Sequence, residues 1–569
     1  MMLSIISKNS GSPREHVTSL DTSTTTTLTA NEHQEQELEW KPGRAEYAVM
    51  ATISVISLMV ALDATILVPV LSRQDLALDL HGSATDAFWA GTSYLLPCAV
   101  FQPFIGSLSD IFGRKELLLV SLAFFTLGTL LCAPFARDFT ILLAGRSLQG
   151  IGGGGIITMG QMIFADIVPL RLRPKYFSFV LGAWALGSVL GPLVGGLFVQ
   201  KATWKWCFYI NLPFCALGFI MVPLFVRLSA EKASFCSKLL RVDGIGGLLF
   251  IGGMTSFLIG ISWAGVQFTW SSAATIAPII VGAVAVSACL FWEKYGATEP
   301  FFRPSLFYSW SAVAVYFGAF CQGFLLFCGL YYIPFYFISV RFVTPTQSGL
   351  NLFPVTCLLL PGSVVVSVLT SRLGRFRWAI WSGWALATVG CGLLVLLDEN
   401  TTTALWAIYF AIFGIGNGMI LTSVNVGTQA ISRIEDCGRA ACMYAFMRTL
   451  GMSVGVAVGG TAFQNVMVNR LRELGLPETI AQNAEAFATE LAGMASWDPV
   501  RLGALSAYVK GFQGVFWVMT ATAASGFITS LVIRKHSMDK TLESRFTLEG
   551  TRNRKSEVPS VGSYVSEVV

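Results

Sequence analysis

The sequence predicts an all-α transmembrane fold of fourteen helices, arranged as two six-helix pseudo-repeats with two inserted central helices. Three observations carry that expectation. Of 569 residues, 54% are hydrophobic and only 12% are charged, against about 25% charged in soluble domains. Mean hydropathy is +0.64, so lipid must solvate much of the surface. Fourteen apolar runs each approach the ~20 residues that a spanning helix needs. A glycine pattern in the first half also returns in the second at a fixed displacement.

The elements follow in order. Residues 1–46 are polar and rich in Ser and Thr ("TSTTTTLTANEHQEQELEW"). They lack the basic-then-apolar opening of a secretory signal, and their composition predicts a disordered tail. Apolar runs at 47–70, 86–107, 117–135, 140–163, 176–199 and 207–227 make a first six-helix bundle over 47–227. Runs at 243–262 and 274–292 make the inserted pair, 243–292. Runs at 312–339, 349–370, 378–396, 403–427, 439–467 and 512–533 make the second bundle, 312–533. Its long outer connection, 468–511, holds amphipathic stretches such as "AQNAEAFATELAGMA" that predict short surface helices. Residues 534–569 read as a second disordered tail.

Positive charge sets the direction. One set of loops carries Arg114, Lys115, Arg171, Arg173, Lys175, Lys232, Lys238, Arg241, Lys294, Arg303, Arg372, Arg375, Arg377 and Arg433. The alternate short loops carry only Arg73, Arg137, Lys201, Lys205 and Arg341. The first set is expected in the cytoplasm together with both tails. The expected location is the cell membrane, with the vacuolar membrane as the alternative, and a monomer is expected. The sequon at Asn400 then falls outside, in a very short loop, as a candidate glycosylation site. The twelve Cys are scattered without C-x-x-C spacing, which predicts free thiols.

"GSVLGPLVGG", starting at Gly187, and "GMSVGVAVGG", starting at Gly451, share the pattern G-x-x-x-G-x-x-x-G-G at a displacement of 264 residues. "GIG" at Gly150 recurs at Gly414 with the same displacement. "LSDIFGRK" (108–115) has a weaker echo in "LTSRLGRF" (369–376). The first of these loops joins runs two and three and its echo joins runs ten and eleven, which places the two extra helices between the halves. Gly187, Gly191 and Gly195 lie along one helix face and let a neighbouring backbone approach. Pro192 removes one backbone bond and can bend the helix. Such a face is either plain packing or a bendable seam that keeps one side of a cavity closed.

These motifs resemble the major facilitator superfamily. "GSLSDIFGRK" (106–115) is similar to its loop signature, although Ile111 replaces the usual basic residue and Ser371 replaces the acid in the echo. "LAGRSLQGIGGGG" (143–155) resembles its fourth-span motif, and "GSVLGPLVGG" resembles the fifth-span motif of antiporters. "LDATILVPVL" (62–71) resembles the first-span motif of fourteen-span drug:proton antiporters of the fungal toxin and multidrug efflux type. The resemblance implies a gating loop at Gly106, Asp110, Gly113, Arg114 and Lys115, in which Asp110 faces a helix N-terminus and pairs with Arg114. It also implies an antiporter motif at Gly187, Gly191, Pro192 and Gly195.

Asp63 is the one acid well inside an apolar run. A carboxylate near mid-bilayer costs roughly 2.5–3.5 kcal/mol and is a functional candidate by default. Arg146 lies at matching depth, about 10 Å below the outer boundary at 1.5 Å rise per residue, so the two are expected to pair for proton coupling. Arg448 is a weaker partner, expected at the cytoplasmic end with Glu435 and Asp436. "GIGGGG" (150–155) matches a dinucleotide fingerprint only formally, since no strand precedes it. The cluster "GLYYIPFYF" (329–337) is expected to mix packing and cavity-lining aromatics. No Walker pattern or nucleophile–base pair stands out, and the four His lie outside the runs. No catalytic residue, cofactor, metal or nucleic-acid partner is expected. The expected function is proton-coupled efflux of a lipophilic small molecule: a secondary metabolite, toxin or drug. The alternatives are a vacuolar basic amino acid transporter and a non-transporting membrane sensor.

Overall fold

The computed structural model describes residues 40–540, except 68–69, 71–75, 77–78, 81, 83, 230–233 and 266, together with Phe546 and Leu548. Residues 42–569 form one compact unit; the other, Met1–Lys41, lies almost wholly outside the described residues. The tails expected over 1–46 and 534–569 therefore fall largely outside them.

Among the described residues, fifteen helices of eleven residues or more organise the chain. They are α1 (Arg44–Ile66), α2 (Ala84–Val100), α3 (Gln102–Phe112), α4 (Arg114–Leu130), α5 (Phe139–Ile167), α6 (Arg173–Lys201), α7 (Asn211–Phe225) and α8 (Gly244–Trp263). Then come α9 (Ala273–Tyr295), α10 (Trp310–Ser339), α11 (Phe353–Leu373), α12 (Arg377–Leu394), α13 (Thr403–Ile431), α14 (Cys437–Glu473) and α15 (Pro499–Ser530). Their starts carry local signals. The Asp138 carboxylate accepts from Ile141 N at 2.9 Å to open α5, Asp243 does the same for Gly246 N in α8 at 2.9 Å, and Asp498 caps Val500 N at 2.8 Å beside Pro499. Among the described residues no strand forms; two isolated bridges join Leu228 to Leu548 and Ala264 to Phe268.

Among the described residues ten helices are long and apolar enough to cross a membrane, or eleven when α2 and α3 count as one span bent by 45°. Pro97 and Pro103 flank that bend, each removing a backbone donor. The helix α5 falls outside the set because it spends its length on glycines, Arg146, Gln149 and Asp166. The most enclosed spans are α1, α10 and α14, and the least enclosed is α9, whose Ile280, Val281, Val284 and Phe291 face outward. The pair α8–α9 is joined by close glycine contacts, with a Cβ at Gly282 falling 2.5 Å from Phe257 N.

The connection expected over 468–511 is shorter than its sequence suggests. The helix α14 continues to Glu473, α15 begins at Pro499, and short helices Thr479–Gln482 and Ala484–Gly493 fill the interval. Charges extend α14 beyond its apolar run: Arg470 pairs with Glu473 at 2.8 Å and Arg472 with Glu478 at 2.9 Å.

Candidate functional site

Asp63 lies one turn before the end of α1 and is fully buried. Its Oδ2 accepts from Arg146 Nη1 of α5 at 2.7 Å. Its Oδ1 accepts from Asn211 Nδ2, the first residue of α7, at 2.7 Å, and from Gln149 Nε2 at 3.3 Å. Charge-assisted bonds of this kind are what a buried carboxylate requires. Arg146 is held in turn: Nε donates to the Ala90 carbonyl at 3.1 Å, Nη1 donates to Gln149 Oε1 at 2.9 Å, and the guanidinium lies 4.4 Å from the Tyr94 ring centroid. Gln149 also donates to Thr129 Oγ1 at 2.8 Å. The structure thus brings Asp63 and Arg146 together and adds Asn211, Gln149 and Thr129. Gln149 was visible in principle, as a polar residue on the same face as Arg146 three positions on.

Two clefts lie along the bundle. One, of about 510 Å³, is lined by Ala64, Thr65 and Leu67 of the α1 region, Gly91, Thr92 and Leu95 of α2, Arg146, then Phe327, Leu330 and Tyr331 of α10, and Val456 of α14. Arg146 therefore touches both Asp63 and the cleft, and Tyr331 is the aromatic of the 329–337 cluster that lines it. The other, of about 310 Å³, lies toward the Asp110 end between α5, α6 and α13, with Gln161, Arg173, Asn425 and Gln429 among its polar lining. Across it Arg173 Nη1 donates to Gln429 Oε1 at 2.7 Å, and Asn425 Nδ2 donates to Gln161 Oε1 at 3.1 Å.

The loop motif ties α3 and α4 to α14. Asp110 pairs with Arg114 at 2.6 Å and with Arg439, in the first turn of α14, at 2.7 Å. Arg114 also pairs with Asp166 at 3.0 Å. Gly113 has φ 117°, a conformation that favours glycine. Gly106 lies against α14, where an added Cβ would fall 2.5 Å from Cys442 Sγ. Lys115 is half-buried and enters none of these pairs. At the echo loop, where Ser371 replaces the acid, Arg171 donates to the carbonyls of Ser371 at 3.3 Å and Arg372 at 3.4 Å and pairs with Asp539 at 2.8 Å. A carboxylate from beyond α15 occupies the role that the loop leaves open. Lys540 beside it is half-buried against the Gln429 and Ser432 carbonyls, and its partial burial lowers its pKa.

Each glycine stripe meets a backbone. Cβ atoms on Gly187 and Gly195 would fall 2.6 Å from Leu58 O and 2.1 Å from Ile66 O of α1, and one on Gly191 would fall 2.1 Å from Thr65 Oγ1. The second stripe does the same on α10: Gly451 to Phe320 O at 2.0 Å, and Gly455 to Phe324 O at 2.7 Å. Pro192 lies on the other side of α6, against Gly349. Arg448, expected beside Glu435 and Asp436, does not lie there. It lies three turns inside α14, because α14 begins at Cys437, and Asp436 pairs with Arg303 instead. Asn400 is exposed in the turn before α13, its N–H donating to Asp398 Oδ1 at 2.9 Å. At the end of the bundle opposite Asp110, Glu485 accepts from Tyr331 Oη at 3.2 Å. Burial lifts its carboxyl to about 7, against the opposing effect of that hydrogen bond.

Among the described residues no three His, Cys, Asp or Glu side chains cluster as metal ligands. The family profile described as Major Facilitator Superfamily matches residues 53–456. The chain is 39% identical over 510 residues to "MFS transporter L2" of Phoma sp., covering 88% of this chain and 84% of that one. It is 30% identical to "Efflux pump FUS6" of Gibberella fujikuroi, covering 93% and 95%. Its fold is similar to that of the human organic anion transporter MFSD10 (TM-score 0.53, 13% identity, 87% of this chain and 100% of that one). With an all-helical body, membrane-crossing helices and these relatives, the chain belongs to the Major Facilitator Superfamily, in its fungal efflux group, and is a membrane transporter and not an enzyme.

Proposed function

We propose that the chain exports a lipophilic small molecule in exchange for protons by alternating access. The observation that carries this reading is the fully buried Asp63, whose partner Arg146 also lines the larger cleft. Protonation removes the charge on Asp63 and weakens its hold on Arg146, whose guanidinium is then free to re-pair toward the cleft. Refilling of the carboxylate site by Asn211 and Gln149 lowers the cost of that exchange. A cleft that presents an arginine to its cargo disfavours basic amino acids.

In this reading α5, α12 and α15 join the eleven spans to make fourteen, as two groups of six with α8 and α9 between. The matched contacts of the two glycine stripes support that repeat. Both tails and the Asp110 loop lie in the cytoplasm of a cell-membrane monomer, and Asn400 lies outside as a glycosylation acceptor. Asp110, with Arg114 and Arg439, latches the cytoplasmic end, while Gly187, Gly191, Pro192 and Gly195 form a seam that keeps one side of the cavity closed. The test is Asp63→Asn in inside-out vesicles: proton-driven accumulation of cargo should be lost while delivery to the membrane is retained. A native accumulation gradient in this variant refutes the assignment.

A further inference from the structure

The central region holds a second buried cation with a different environment. Of the buried arginines described, Arg114 and Arg146 pair with carboxylates, and Arg173 is wrapped by the carbonyls of Val168 and Ala165 and the Gln429 amide oxygen. Arg448, only 7% exposed, has a single hydrogen bond, from Nε to Gln322 Oε1 at 3.0 Å. Its Nη2 has no partner, and neither has the Nε2 of Gln322. Burying a guanidinium without a counter-ion is expensive, and leaving its donors unmet adds to that cost. Packing alone would favour an apolar residue here.

The unmet donors share one edge. Nε and Nη2 form the side of a guanidinium that grips a carboxylate with two parallel bonds. Gln322 Oε1 covers only the Nε half, and the same amide carries the second free donor. The indole of Trp184 lies against the guanidinium, 4.8 Å from ring centroid to Cζ, and offers an apolar face from α6. Trp184 is one turn, about 4.5 Å along the axis, from Leu181 of the smaller cleft. Gln322 is about 7.5 Å along α10 from Phe327 of the larger one. The three side chains thus come from both bundles, at a level between the two clefts.

Resting on the efflux reading, we propose that Arg448, Gln322 and Trp184 form the recognition point for the cargo, and that the cargo is an organic anion. It is a lipophilic molecule with a carboxylate or similarly acidic oxygen. The anionic group takes Arg448 Nη2 and Gln322 Nε2, and the apolar body lies along Trp184. The cargo supplies the counter-ion that the protein withholds.

The experiment uses the purified full-length chain and two fluorescent probes with one ring system, 1-pyrenebutyrate and its uncharged amide. The native protein should bind the carboxylate at least tenfold more tightly than the amide. Arg448→Gln should bring that ratio to about one. Gln322→Glu keeps the arginine and gives it an internal carboxylate, so it should fold at least as well and also lose the preference. Equal affinities in the native protein, no binding of pyrenebutyrate, or an unchanged ratio in both variants overturns the proposal. Proton-driven export is read separately in vesicles, so a pump that moves both probes alike loses this inference and keeps the efflux reading.

Discussion

Gly195→Ala sets helix propensity against close packing, with the two effects opposite in sign. Alanine is the better helix former by about 1 kcal/mol, so propensity alone predicts a more stable protein. The added Cβ would fall 2.1 Å from the Ile66 carbonyl oxygen and 3.1 Å from Ile66 Cγ1. Ordinary carbon–oxygen contact starts near 3.4 Å, so α1 and α6 must separate by about 1 Å. The obstacle is backbone, so no rotamer change relieves it. Overpacking of this kind costs typically 1–3 kcal/mol, which offsets the propensity gain and leaves a net loss of up to about 2 kcal/mol. Gly182 on the same helix is the control: its Cβ would meet only Leu360 Cδ1 at 3.8 Å, so Gly182→Ala should be neutral or stabilising.

Thiol reactivity during heating is a suitable assay, because nine of the twelve free cysteines are buried and become reactive on unfolding. Gly195→Ala should melt a few degrees lower than the native protein, and Gly182→Ala should not. Export should fall as well, since Ile66 is three residues from Asp63 and hydrogen bonds of 2.7 Å do not survive a shift of ~1 Å. A Gly195→Ala protein that melts at or above the native temperature and exports normally would refute the seam. Gly191→Leu is a blunter probe, because its first obstacle is the Thr65 side chain, which can rotate.

Asp110→Asn weakens bonds to both Arg114 and Arg439 and should slow turnover roughly tenfold with cargo affinity little changed; a change in affinity alone counts against the latch. Asp539→Asn should cost under ~1 kcal/mol by thermal unfolding, since the pair is partly exposed and Arg171 keeps its two carbonyls, whereas Arg171→Ala should cost more. Glu485 faces Tyr331 and Tyr332 of α10 and Tyr508 of α15. Its value of about 7 lies above the ordinary 4.5, so the folded protein holds the proton more tightly than the unfolded one. Its contribution to stability is full below about pH 4.5 and is lost as pH rises through 7. Proteolysis of the 474–498 connection should therefore speed up across that window, and Glu485→Gln should flatten the dependence.

Depth along a helix is legible in sequence because rise per residue is constant, so Asp63 and Arg146 could be matched before any contact was known. Rotation and partner helix are less legible. Asn211 opens α7, and nothing local says that its amide faces α1. Arg439 lies 329 residues from Asp110, and the loop motif names only the acid. Arg448 went astray for a related reason: α14 runs for 37 residues, longer than a bilayer needs, so an apolar run drawn within it does not fix where its membrane portion starts. The glycine stripes were legible as faces. Which backbone each face meets depended on the tertiary fold.

One helix links these parts. Within nine residues α1 carries the Leu58 carbonyl against Gly187, Asp63 against Arg146, Thr65 against both Gly191 and the larger cleft, and the Ile66 carbonyl against Gly195. Contacts at 2.1–2.6 Å from a hypothetical Cβ leave α1 no room to approach α6, so it can only slide, rotate or part. Asp63 is bonded to α5 and α7, not to α6. In the proposed exchange, weakening those bonds by protonation leaves the glycine seam as the main constraint on the C-terminal half of α1, and a seam without side chains resists sliding least. The proposed coupling of proton binding to helix movement then runs through a single rigid element, with no relay through intervening side chains.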